Sequence, residues 1–212
     1  MADDRGAVLF FAADAETRRA PRRVQLEREY RWEIWRPGIF KAVPKTFGSH
    51  YYAWALFHYT RVFRNRDYSV CLVYRGPEVI HRAVVTPPYF RFPFMKKGDL
   101  QIGDVWTQES HRGKGIAVFA IQAIMDSNQR KDRKFWYLVE NTNLPSMRTA
   151  EKAGLVRVGI GFKKKRLGVN LLARYVLSEG GGDRSGVPES TVSPSAPHES
   201  APDNGSDTER LP

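Results

Sequence analysis

Leu100-Gln101-Ile102-Gly103-Asp104-Val105-Trp106-Thr107 runs, after four residues, into Arg112-Gly113-Lys114-Gly115 and then into Ile116-Ala117-Val118-Phe119-Ala120-Ile121-Gln122-Ala123-Ile124. The first block reads as a strand. The last carries apolar residues at Ile116, Phe119, Ala120, Ala123 and Ile124, the i, i+3, i+4 spacing of a helix, here running to Asn128. Glycines at a strand-to-helix junction let a ligand come close to the backbone. The free N–H groups of the helix start, with the helix dipole, favour an anion such as a pyrophosphate, and Arg112 and Lys114 add positive charge. Alone, Gly-x-Gly marks a plain turn more often than a phosphate site. Two phosphate motifs are excluded: no G-x-x-x-x-G-K-[ST] occurs, and G-x-G-x-x-G fails at Val118.

Working outward, Lys134–Val139 reads as a strand and Ser146–Ala153 as a short helix closed by Gly154. Leu155–Phe162 and Asn170–Leu177 read as strands joined by a basic loop, Lys163–Arg166. Upstream, Glu29–Trp35 alternates, with Tyr30, Trp32 and Ile34 on one face and Arg31 and Glu33 on the other. Ser49–Phe63 reads as a helix. Tyr68–Tyr74 and Val79–Val85 form a hairpin across Gly76-Pro77. Strands followed by strand–helix–strand–helix–strand–strand imply a mixed sheet with helices on its faces, an α/β or α+β layer.

The chain has 212 residues, with 34 Lys and Arg against 23 Asp and Glu, a net charge of +11. Residues 179–212 hold seven acidic residues and two arginines, so the remaining 32 basic and 16 acidic residues give the body a charge of +16. That tail is rich in Gly, Ser and Pro and has no aromatic residue, so disorder is expected from 179 onward. Segment 1–27, with its apolar run Val8–Phe11, reads as an N-terminal strand and loop extension to a domain over 28–178. The single cysteine, Cys71, excludes an intramolecular disulfide framework and a multi-cysteine metal site, and suits a cytoplasmic setting. No metal site is expected. Apolar runs such as Ile116–Ile121 are far short of a membrane span, and Asp3 and Asp4 argue against a signal peptide. The basic body keeps a nucleic-acid-binding module open as an alternative, although no helix-turn-helix, zinc or RNA-recognition signature occurs.

Two blocks carry a specific resemblance. Arg112-x-x-Gly115-x-Ala117 matches the [QR]-x-x-G-x-[GA] acyl-CoA loop of the GNAT acetyltransferase superfamily. Asn143-Leu144-Pro145-Ser146 with Glu151-Lys152-Ala153-Gly154-Leu155 resembles that family's second signature, in the same order and on the same kinds of element. The resemblance covers about 68–178, and 29–67 more loosely. It implies a mixed, mostly antiparallel sheet with a splayed parallel strand pair and helices on both faces. It further implies acetyl-CoA as cosubstrate and a small-molecule amine acceptor, with direct transfer and no covalent enzyme intermediate. It leaves a homodimer open, as well as a non-catalytic acyl-CoA-sensing domain.

By the resemblance, the strand Val105, Trp106 and Thr107 meets the pantetheine arm. Residues Arg112, Gly113, Lys114, Gly115, Ile116 and Ala117 hold the pyrophosphate, and Asn143, Ser146 and Lys152 contact the cofactor from across the gap. Lys131, Arg133 and Lys163–Arg166 read as exposed basic residues, either a solvated face or partners of the 3′-phosphate. Many family members place a tyrosine directly before the Glu-Lys pair as acid to the leaving thiolate; here that position is Ala150, so the proton comes from elsewhere, from water, or is not needed, and Tyr137 on the neighbouring strand reads either as that donor or as a packed aromatic. A neutral amine needs a base. The candidates are Asp104, Glu140 and His81. Arg31, Trp32, Trp35 and Arg91 are candidate acceptor contacts, because aromatic faces stack on sugars and guanidinium forks grip phosphates. The blocks Arg31–Trp35 and Arg91–Met95 with 99–104 are similar to a branch of the superfamily associated with bacterial polysaccharide biosynthesis, which implies an amino-sugar acceptor.

Overall fold

The protein's architecture is given by a computed structural model, which describes residues 7–14, 22–38, 49–166 and 169–178. The elements in chain order are β1 (Ala7–Ala13), β2 (Tyr30–Trp35), α1 (Ser49–Tyr59), β3 (Ser69–Arg75), β4 (Glu78–Thr86) and β5 (Leu100–Thr107). They are followed by α2 (Ile116–Ser127), β6 (Phe135–Glu140), α3 (Leu144–Ala153), β7 (Val156–Arg166) and β8 (Val169–Ser178). The strands form one eight-stranded sheet in the order β2-β3-β4-β5-β6-β1-β7-β8. Every neighbouring pair is antiparallel except β5 and β6. A parallel pair needs a crossover connection, and α2 supplies it.

The alternating side chains of the strands feed two cores. On one face, Leu100, Ile102, Val85, Leu9 and Phe11 pack with α2 and with Ala150 and Ala153 of α3. On the other, Phe10, Val70, Leu72, Val84 and Trp136 pack with an aromatic group that includes Phe63, Tyr68, Tyr89 and Phe92, flanked by Trp54 and Phe57 of α1. Helices therefore lie on both faces of an α/β sheet.

Four expectations change. Segment 1–27 contains more than an appended strand: β1 lies inside the sheet, hydrogen-bonded to β6 on one side and β7 on the other. Residues 163–166 belong to strand β7, with Lys163 paired to Tyr175 and Lys164 to Arg174, because an outer hairpin keeps charged side chains in water while its backbone pairs. Helix α1 stops at Tyr59, where Arg61 turns left-handed at φ 60°. Helix α3 begins earlier than expected, at Leu144, because Asn143 caps it, its side-chain oxygen accepting from Ser146 N at 3.1 Å. The tail over 179–212 lies outside the described residues. Among the described residues no helix is long and apolar enough to cross a membrane.

The register of β5 prepares the site. It pairs with β6 only through Leu100↔Phe135, Gln101↔Trp136 and Ile102↔Tyr137. On the β4 side, Gly103 faces Val84 and Trp106 faces Arg82, so Asp104 and Val105 together oppose Ala83 alone. This is a β-bulge, and Asp104 at its centre takes φ 44°. Beyond Ile102 the two parallel strands separate.

Candidate functional site

Where β5 and β6 part, a groove of about 490 Å³ opens between them and the ends of α2 and α3. Val105, Trp106 and Thr107 form one wall, and Tyr137, Asn143, Ser146 and Lys152 the other. Arg112, Gly113, Gly115, Ile116 and Ala117 close the end. Gly113 and Gly115 have φ of 80° and 78°, a region that side chains disfavour. Gly115 is also the N-cap of α2, and no side chain there accepts from the first-turn N–H groups. Those donors remain available to an anion at the groove's closed end.

Lys114 does not line the groove. Its ammonium donates to the hydroxyl of Tyr30 at 3.2 Å, and that hydroxyl lies 3.0 Å from His111 Nδ1. An ammonium has only donors, so the tyrosine oxygen accepts from Lys114, and the Tyr30 hydroxyl also hydrogen-bonds the Glu29 carboxylate, which helps to lower the Glu29 pKa. Both Tyr30 and His111 are buried, and His111 lines the groove. This tie between β2 and the glycine loop escaped the sequence reading. The available signal was the position of His111 directly before Arg112, in the same loop.

Tyr137 is buried. Burial raises its phenol pKa, opposed by a hydrogen bond with Ser146, so the group holds its proton and can only give it up to a basic neighbour. Ala150 is fully buried in the core and brings no hydroxyl to the groove. Asn143 spends its side-chain oxygen on the cap of α3.

The candidate bases lie in three different settings. Asp104, although in the middle of β5, is exposed. The bulge turns it to the surface, where it meets Arg82 Nε at 3.5 Å, and the Arg82 guanidinium lies over the Trp106 ring, 5.0 Å from its centroid. Glu140 is exposed at the end of β6. His81 is fully buried beneath the wall. Its Nδ1 pairs with Thr107 Oγ1 at 2.8 Å, its Nε2 has no partner among the described residues, and burial, helped by Arg82, pushes its pKa down to about 3. It is a neutral support for Thr107 with no access to an acceptor.

The four candidate acceptor contacts do not converge. Trp35 is buried in the core. Trp32 is 42% exposed and packs edge-on to Phe119 of α2. Arg31 sits over Tyr74 and Arg91 over Tyr175. Arg133, read from sequence as exposed, is buried, binding the carbonyls of Gly98 and Asn128 and the carboxylate of Asp67. Cys71 is buried, which pushes its thiol pKa up to about 12 and leaves it inert.

The family model described as the acetyltransferase (GNAT) family matches residues 28–155, and the chain belongs to that family. None of the curated proteins matches it. Among solved structures, a Drosophila protein is 14% identical with a TM-score of 0.50, over 73% of this chain and 48% of that one. A tandem GNAT protein from the clavulanic acid biosynthesis pathway is 10% identical with a TM-score of 0.50, over 73% and 51%. A GCN5-related N-acetyltransferase from Sphaerobacter thermophilus is 15% identical with a TM-score of 0.46, over 72% and 48%. The chain spans about half the length of these structures, and the likeness at these identities is one of fold. The family is one of acetyltransferases.

Proposed function

We propose that the protein transfers an acetyl group from acetyl-CoA directly to an amine acceptor. The observation that carries this reading is the groove itself, with the edge of β5 left unpaired beyond Ile102 and the uncapped N–H groups of α2 at its end. When bound, acetyl-CoA supplies a thioester-activated acyl group. The backbone of Val105 and Thr107 would pair with the pantetheine arm, with Trp106 beside it. The N–H groups of the Arg112–Ala117 loop would hold the diphosphate, with Arg112 and Lys152 adding charge and Lys114 bracing the loop through Tyr30. Asn143 Nδ2 and Ser146 would contact the cofactor from the opposite wall.

On the acceptor side, Asp104 takes the amine proton, directly or through a water, and Glu140 is the alternative base. Tyr137 gives a proton to the departing thiolate. The acceptor this reading favours is an amino sugar or its nucleotide, as in polysaccharide biosynthesis, and of the four contacts expected from sequence only the half-exposed face of Trp32 remains available to stack on it. Cys71, reduced and inert, fits a cytoplasmic setting. A second reading, an acyl-CoA sensor that transfers nothing, is favoured by the missing phenol at Ala150.

The test combines mass spectrometry and calorimetry. Acetyl-CoA and a panel of amines, amino sugars included, should give a product heavier by one acetyl group. A protein that binds acetyl-CoA yet acetylates no amine is the sensor. Gly115→Glu, which sets bulk and negative charge against the diphosphate, should abolish acetyl-CoA binding while the fold survives. Unchanged affinity in that variant removes the cofactor assignment.

A further inference from the structure

The turn that follows α1 forms a second hollow, of about 460 Å³, walled by His58, Arg61, Phe63, Arg64, Asn65 and Arg66. All three arginines are exposed. Among the described residues, none of them has a carboxylate within ion-pair distance. Asp67, their nearest acidic neighbour in sequence, is already held by Arg130 and Arg133. Exposed guanidinium groups that line one hollow repel one another only weakly through water, and an anion seated among them turns that repulsion into attraction.

The turn does not relax away from this arrangement. Val62 N donates to Phe57 O at 3.0 Å, Arg64 N to Pro88 O at 2.9 Å, and Asn65 Nδ2 to Lys97 O at 2.8 Å. Arg61 is held at φ 60°, where Gly or Asn would sit without strain. His58 Nδ1 is buried without a hydrogen-bond partner among the described residues. Burial, with Arg66 beside it, lowers the His58 pKa, so the positive charge of the hollow is that of the arginines. Their planar forks match phosphate oxygens two at a time.

Phe63, on the wall of the hollow, stacks on Tyr68 with ring centroids 5.6 Å apart, and both rings are buried, so the hollow is backed by packed core.

We propose that Arg61, Arg64 and Arg66 form a second anion site, which binds the phosphate of a phosphorylated small molecule. Inorganic pyrophosphate is titrated by calorimetry into protein saturated with coenzyme A, so that the glycine loop is already filled. Wild type should bind one equivalent. Arg61→Gln/Arg64→Gln/Arg66→Gln should lose at least tenfold in affinity, with its melting temperature and coenzyme A affinity unchanged. If the triple variant does not fold, Arg66→Gln is read instead and should still lose affinity. Absence of binding in wild type, or equal binding in the variant, overturns the site.

The second arm titrates glucosamine 6-phosphate and glucosamine into the same coenzyme A-saturated protein. Wild type should bind the phosphorylated sugar more tightly than the free sugar, and the triple variant should lose that preference. Equal binding of the two sugars by wild type overturns recognition of a phosphate ester.

Discussion

Asp104 sits where β5 bulges, and its setting decides what it can do. Its surface position and contact with Arg82 let it meet an incoming amine, which the buried His81 cannot. Asp104→Asn keeps the shape and removes the base. Turnover should fall roughly a hundredfold or more, acetyl-CoA affinity should stay unchanged, and the residual rate should climb with pH as free amine accumulates. Normal turnover at neutral pH would move the role to Glu140. His81 makes a separate prediction about stability. Its pKa is about 3 in the folded chain against an ordinary 6.5, so below pH 6.5 the unfolded chain binds a proton that the folded one refuses. Stability should be unaffected above that pH and should drop as pH falls toward 3, by up to about 1.4 kcal/mol per unit. Urea unfolding at a series of pH values should show this slope, and His81→Leu should flatten it. An equal slope in the variant would mean that other groups carry it. Neither setting was readable from sequence: an aspartate in a strand and a histidine in a strand look alike until the bulge turns one outward.

At the scale of elements, the outer sheet depends on close backbone approach. A Cβ added at Gly161 of β7 would overlap the carbonyl oxygen of Val176 and stand 2.6 Å from the Phe10 ring, whereas one at Gly98 would meet nothing within 4 Å. Gly161→Ala should therefore cost about 3 kcal/mol or more, and Gly98→Ala close to nothing. Denaturation midpoints separate the two, and comparable midpoints would contradict the packing of β1, β7 and β8. The strand–loop–helix unit at 100–128 was legible because its hydrophobic period changes from two to 3.6 across glycines. The place of β1 was not, since an apolar run such as Ala7–Ala13 signals burial without naming its neighbours. The ladder through 163–166 was hidden for the opposite reason: charge suggested a loop, and only pairing with β8 reveals a strand. The aromatic residues were visible, but whether each one faces water is settled by packing, which put Trp35 inside and left Trp32 out.

At the scale of the whole molecule, charge divides the chain into a basic body and an acidic end. The last strand among the described residues, β8, ends at Ser178, paired with Ile160, just where the composition changes. A chain cut after Ser178 should keep its melting temperature and acetyl-CoA affinity. Losing the tail's negative charge should raise retention on DNA at low salt, an effect that vanishes as salt rises. A large drop in thermal stability on truncation would show that 179–212 contributes to the folded unit.

Strand β1 is made long before either of its partners. Val8 pairs with Glu140 and Gly161, about 130 and 150 residues further on, so β1 emerges with both hydrogen-bonding edges empty and stays so through most of synthesis. Loop closure over such distances raises contact order and slows folding. In the meantime, the apolar run Val8–Ala13, buried in the folded sheet, has no partner to cover it. A nascent chain stalled before β6 should accordingly be protease-sensitive throughout residues 7–13, and protection there should come only once β7 has cleared the exit tunnel.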